Sequence, residues 1–146
     1  MLRGNQLAKV DDKGRLKLPS AYRAIIEPRF GREFFVTSFS GDSARIYPME
    51  VYAEFEKRLM DASDVDPLVT LLQDAVSYYG QTALMDAQGR ILIHPLLRER
   101  AAIDGEVAVI GRQNILVVWN RRTFVERLES QPLTNEALRG LAALGF

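Results

Sequence analysis

The sequence predicts a β-rich α+β fold made from two copies of one small unit, and three observations predict it. One block occurs twice, as Val10-Asp11-Asp12-Lys13-Gly14-Arg15-Leu16-Lys17-Leu18 and Met85-Asp86-Ala87-Gln88-Gly89-Arg90-Ile91-Leu92-Ile93. After each Gly-Arg the residues alternate as in a strand, Leu16 and Leu18 on one side and Arg15 and Lys17 on the other. Further matches follow in the same order: Glu33-Phe34-Phe35-Val36-Thr37 with Glu106-Val107-Ala108-Val109-Ile110, Ile46-Tyr47 with Val118-Trp119, and Tyr52 and Glu54 with Phe124 and Glu126. Two copies are too few for a solenoid. They suggest a pseudo-twofold pair, a homodimer written into one chain.

Along the first copy, Leu7 to Val10 and Arg15 to Leu18 flank a polar segment with Gly14, a hairpin signal in which glycine supplies a positive φ. In the second copy Ile91 and Ile93 face inward and Arg90 outward, while Leu92 does not fit its outward position. Pro19-Ser20 marks a stop and an N-cap for a short helix through Ile26, ended by Pro28. Pro95 opens the matching helix, which fades near Asp104-Gly105. Phe34 to Phe39 forms a strand, Gly41-Asp42 a turn, and Ala44 to Tyr47 the return strand. An amphipathic helix follows Pro48, with Val51, Tyr52, Phe55 and Leu59 at helical spacing. The unit order is therefore β-β-α-β-β-α. The units span residues 5–58 and 80–130. Residues 59–79 join them through an acidic loop (61–67) and a helix from Leu68 to Tyr79, and residues 131–146 form a tail with one short helix.

Composition limits the chemistry. The 146 residues are enough for one ordinary domain or two small halves sharing a core. With no cysteine and a single histidine, His94, neither a disulfide nor a conventional zinc site is expected, and no cofactor motif is present. No apolar run approaches a membrane span and the N-terminus lacks a signal-peptide core, so a soluble cytoplasmic protein is expected. The net charge is zero, yet residues 1–32 hold eight bases against three acids, and residues 33–74 three bases against nine acids. Such segregation forms a local anion-binding face on a neutral protein, or reflects solvated charges clustered by chance. The aromatic positions Phe34, Phe35, Tyr52, Phe55, Trp119 and Phe124 fall at strand or helix spacing and read as core.

The Asp-x-x-Gly-Arg motif is open to two readings. Asp11 and Asp86 can accept hydrogen bonds from turn N–H groups and pair with Arg15 and Arg90, which is architecture alone. Alternatively, an arginine held beside a hairpin tip by a carboxylate is pre-organised for a phosphate or a guanine edge, and a two-stranded ribbon fits a major groove. An enzyme reading is poor. His94 aligns with Pro19 of the other copy, and an aspartate four residues from its own arginine stays ionised and suits acid catalysis badly.

The opening Met-x-Arg-Gly, the two Asp-x-x-Gly-Arg blocks each followed by a β run and a proline, and Tyr47-Pro48 resemble the MraZ family, over nearly the whole chain and less so after Pro132. The resemblance implies two tandem swapped-hairpin units similar to the AbrB barrel. It implies a sequence-specific repressor that binds direct repeats of double-stranded DNA in the promoter of its own division and cell-wall gene cluster. It also implies a nucleoid-associated homo-oligomeric ring with no cofactor. The family's DNA contacts centre on the Asp-x-x-x-Arg blocks, here Asp11 to Arg15 and Asp86 to Arg90, with Gly14 and Gly89 shaping the turns and Arg3 and Lys13 as further basic positions. This chain departs from the family pattern in having Leu2 for the usual phenylalanine, Gln88 where the first block has Lys13, His94 in place of a proline or small residue, and no arginine in residues 71–79. Those departures motivate an alternative, a ring-forming assembly module with weak or lost DNA binding.

Overall fold

The computed structural model describes residues 1–62 and 66–146. The part of the predicted acidic loop at residues 63–65 lies outside them. The first half supplies β1 (Asn5–Val10), β2 (Arg15–Lys17), α1 (Ser20–Phe30), β3 (Glu33–Thr37), β4 (Ala44–Pro48) and α2 (Met49–Ala62). After α3 (Pro67–Tyr79), the order repeats as β5 (Gln81–Leu84), β6 (Arg90–Leu92), α4 (Pro95–Arg100), β7 (Gly105–Arg112), β8 (Ile115–Asn120) and α5 (Arg121–Ser130). A last helix, α6 (Asn135–Ala143), occupies the tail.

All eight strands join one antiparallel sheet in the order β5-β3-β4-β8-β7-β1-β2-β6. The two end strands meet again at the second hairpin, where the Asp86 N–H donates to the Arg90 carbonyl at 3.0 Å, so the sheet forms a nearly closed barrel. Read around the closed barrel, exchanging the two halves leaves the cyclic strand order unchanged. Within the first hairpin, β1 meets β2 only at Val10↔Leu16. The longer ladders run between halves: β1 on β7 from Asn5↔Ile110 to Val10↔Gly105, β5 on β3 from Glu33↔Leu84 to Val36↔Gln81, and β2 on β6 centred on Leu16↔Ile91.

Period-two alternation places the core. Leu16, Leu18, Phe34, Ile91, Ile93 and Val109 point into the barrel and are buried. Residues on the other face of β4 and β8, including Tyr47, Val117 and Trp119, pack with Tyr52 of α2 and the half-buried Phe124 of α5 in a second cluster. Phe35 stacks on Tyr52 with ring centroids 4.1 Å apart, so the expected aromatic positions serve as packing.

The expected acidic loop (61–67) is shorter, since α2 runs to Ala62 and α3 begins at Pro67, and three boundaries of α1 and α4 also differ from the sequence expectation. Ser20 is already helical and Pro19 holds the cap position without a side-chain bond. Pro28 does not end α1, which continues to Phe30. Proline there removes one N–H in the last turn only, Tyr22 and Ile26 anchor the helix in the core, and Gly31 N–H closes on the Glu27 carbonyl at 3.0 Å. The third, α4, stops at Arg100, before the expected Asp104-Gly105. Its end is a Schellman motif: Ile103 N–H donates to the Arg98 carbonyl and Ala102 N–H to the Glu99 carbonyl, with Ala102 at φ 53°. Burial of Ile103 holds that turn although no glycine marks it in the sequence.

Candidate functional site

Each repeated block folds into the same turn because its aspartate binds what the turn leaves unpaired. Asp11 Oδ1 accepts from the N–H groups of Lys13 (3.0 Å) and Arg15 (2.8 Å), and Oδ2 accepts from Arg15 Nε at 2.8 Å. Asp86 does the same with Gln88 N–H (2.9 Å), Arg90 N–H (2.9 Å) and Arg90 Nε (2.7 Å). Gly14 and Gly89 take φ of 84° and 78°, and their N–H groups return to the Asp11 and Asp86 carbonyls at 3.0 Å. Only the backbone of position 13 or 88 enters this network, so lysine and glutamine are equally acceptable to the fold.

These bonds favour the ionised carboxylate. The Arg15 N–H lowers the Asp11 pKa most, helped by the Arg15 side chain, while desolvation opposes. The Asp86 pKa falls to about 2, chiefly through the Arg90 N–H. Both aspartates are thus fixed anions, unsuited to proton transfer.

The aspartates engage only the Nε edge of each arginine. Among the described residues, no Nη atom of Arg15 or Arg90 has a hydrogen-bond partner. Pairing of β2 with β6 then sets the two arginines on one outward face. Arg15 lies opposite Leu92, and Lys17 directly opposite Arg90. Arg15 and Arg90 are diagonal neighbours at about 7–8 Å on such a ladder. The face therefore carries three cations, Arg15, Lys17 and Arg90, with Lys13 exposed at the first turn. Beside it, Lys9, Lys17 and Arg23 line a groove of about 510 Å³ on the flank of the first hairpin.

Not every predicted residue belongs to this face. Arg3 is exposed, at the other end of β1 from the first turn. The six-residue strand between them spans roughly 20 Å. The backbone around Arg3 is pinned by Leu2 N–H on the Gln113 carbonyl (2.8 Å) and by Tyr22 Oη, which donates to the Gly4 carbonyl (2.6 Å). His94 is buried, with Nε2 2.5 Å from the Tyr79 carbonyl, a structural placement. Sequence reasoning placed Lys17 on the side of Arg15 but gave it no part in the site, and it gave none to Arg23 and Arg98, which reach the turns from the opposite halves. A signal for these two existed: each lies eight residues after the Gly-Arg arginine of its own copy. Among the described residues there is no cluster of metal-ligating side chains, and no helix is long and apolar enough to cross a membrane.

Comparison with known proteins places the chain in a family. The family model described as "MraZ protein, putative antitoxin-like" matches residues 80–142. The chain is 41% identical to the transcriptional regulator MraZ of Acidobacterium capsulatum over 146 residues, covering 100% of both chains. It is 45% identical to the transcriptional regulator MraZ of Koribacter versatilis over 147 residues, again 100% of both. Identity to the transcriptional regulator MraZ of Chromobacterium violaceum is 33% over 82% of this chain and 81% of that one. With two full-length matches at 41% and 45% identity, the chain belongs to the MraZ family, a family of transcriptional regulators and not of enzymes.

Proposed function

We propose that this protein is a sequence-specific regulator that binds double-stranded DNA through the outward face of β2 and β6. One observation carries the reading: Lys17 is paired directly across from Arg90, with Arg15 on the diagonal. Like charges opposite one another on a sheet cost stability. Cations held there, two of them with free Nη edges, match a phosphate backbone or a guanine edge. In this reading Arg15 and Arg90 make the central contacts and Lys13 and Lys17 contact phosphates. Arg3 meets DNA separately, from the far end of β1. Asp11, Gly14, Asp86 and Gly89 hold the turns. Residues 5–58 and 80–130 form the two AbrB-like units with exchanged hairpins, 59–79 the connector and 131–146 the tail.

The units differ in one respect. Positions 9, 13 and 17 are lysines, and their counterparts are Leu84, Gln88 and Leu92. The first hairpin thus supplies most of the salt-dependent affinity. One chain offers few contacts, so a homo-oligomeric ring on direct repeats would add affinity by multivalency. The natural target is the promoter of the protein's own division and cell-wall gene cluster, where binding represses. The protein acts in the cytoplasm, at the nucleoid.

Fluorescence anisotropy with the duplex upstream of the gene tests this against a scrambled duplex at two salt concentrations. Selective, salt-sensitive binding is expected, with a loss of about tenfold or more in Arg15→Ala. Equal affinity for both duplexes, or unchanged binding by Arg15→Ala, would sink the reading. A second reading rests on Leu84 and Leu92, 72% and 47% exposed on the flank of the second hairpin. Exposed leucines suit a protein contact, as in an assembly module, and that module would pass the scrambled-duplex test as a non-binder.

A further inference from the structure

We propose that Arg98 and Arg23 are crossed positioning residues, each holding the hairpin turn of the opposite half in the shape that presents that half's arginine to DNA. The inference rests on the DNA-binding reading above. Arg98 belongs to α4 of the second half, yet its guanidinium lies against Gly14 of the first, where any Cβ would overlap Nε and Cζ. The Gly14 carbonyl accepts from Ile93 N–H at 2.9 Å, and the Ile93 carbonyl accepts from Arg98 Nε at 2.7 Å. Arg98 thus closes a chain of contacts around the turn that carries Lys13 and Arg15.

The reverse arrangement holds for the other turn. Arg23 of α1 lies on Gly89, where a Cβ would sit 2.9 Å from Nη1. Arg23 Nη2 donates to the Ala87 carbonyl at 3.2 Å, and Glu27 holds its Nε at 2.8 Å. Leu18 N–H donates to the Gly89 carbonyl at 2.8 Å. Each glycine therefore answers two demands, a positive φ and room for a guanidinium from the other half. Neither arginine needs to touch DNA for this role.

A crosswise set of variants tests the idea in the full-length protein, because coupled residues give non-additive losses. Arg98→Ala is expected to weaken binding to the upstream duplex by about tenfold in wild type and in Arg90→Lys. In Arg15→Lys, whose first hairpin is already impaired, the further loss should be less than about twofold. Arg23→Ala should show the opposite pattern, full effect beside Arg15→Lys and little beside Arg90→Lys. In the DNA-free protein, Arg98→Ala should move the amide resonances of Gly14 and Lys13 and leave those of Gly89 and Gln88 in place. If Arg98→Ala does not fold, Arg98→Lys, which lacks the Nε that bonds the Ile93 carbonyl and the guanidinium carbon that lies against Gly14, serves in its place. Equal losses in both backgrounds, or an unmoved Gly14 resonance, would overturn the proposal. A wild-type protein that does not prefer the upstream duplex would defeat the DNA-binding reading instead, and the Gly14 resonance would still decide whether Arg98 holds the turn.

Discussion

Asp86 organises its turn as an anion, and this makes the turn sensitive to acid. Its carboxyl titrates at about 2 in the folded protein against 3.8 for the ordinary side chain. Between those values the unfolded chain binds the proton and the folded chain does not. The stabilisation is therefore complete above about pH 4 and disappears as pH falls toward 2. Asp86→Asn is expected to lower Tm at pH 7 and to match wild type by about pH 2. A Tm difference that persists unchanged across that range would show that the charge is not what the turn uses. At this scale the sequence was informative wherever the interaction is local. Aspartate, glycine and arginine at fixed spacing identify the turn because the carboxylate bonds groups two and four residues away. Arg98 and Arg23 were visible only as a repeated spacing, since their partners lie in the other half.

Among the elements, α4 shows how tertiary packing overrides a local signal. The expected end near Gly105 gives way to a Schellman turn with Ala102 in the left-handed region at φ 53°. An L-residue pays roughly 1–2 kcal/mol to adopt that conformation, offset here by burying Ile103. Ala102→Gly should stabilise the protein by about 0.5–1 kcal/mol after the entropy of glycine is set against the relieved strain. Chemical denaturation measures it, and a lower midpoint would mean that the alanine methyl contributes more packing than the strain costs. The β strands were easier to place, because alternation around Leu16, Ile91 and Phe34 marks the buried face directly. Helix ends were harder, because Pro28 and Ala102 are tolerated for reasons that lie in the core.

For the whole molecule, the exchange of strands makes the halves interdependent. β1 has its six-residue ladder on β7, β3 pairs with β5, and β4 pairs with β8. A fragment of residues 1–62 loses all of these partners and keeps only two separate strand pairs, β1-β2 and β3-β4, with every outer edge exposed. It is expected to have no stable monomeric fold, as judged by circular dichroism at low concentration. Cooperative unfolding of a monomeric fragment would contradict this interdependence. The same exchange sets Arg15 and Arg90 side by side on β2 and β6, so a site on that face belongs to neither half alone.

The two turns, the inward residues of the strands and the family are legible from the amino-acid order, because each follows from spacing along the chain. Which strands are neighbours, that Lys17 faces Arg90, that Arg3 stands apart from the turns, and that Arg98 and Arg23 cross between halves emerge from the folded arrangement. The reason is physical. A period of two fixes which face a strand buries and leaves its neighbour open, and that choice is made by long-range closure of the barrel around one shared core.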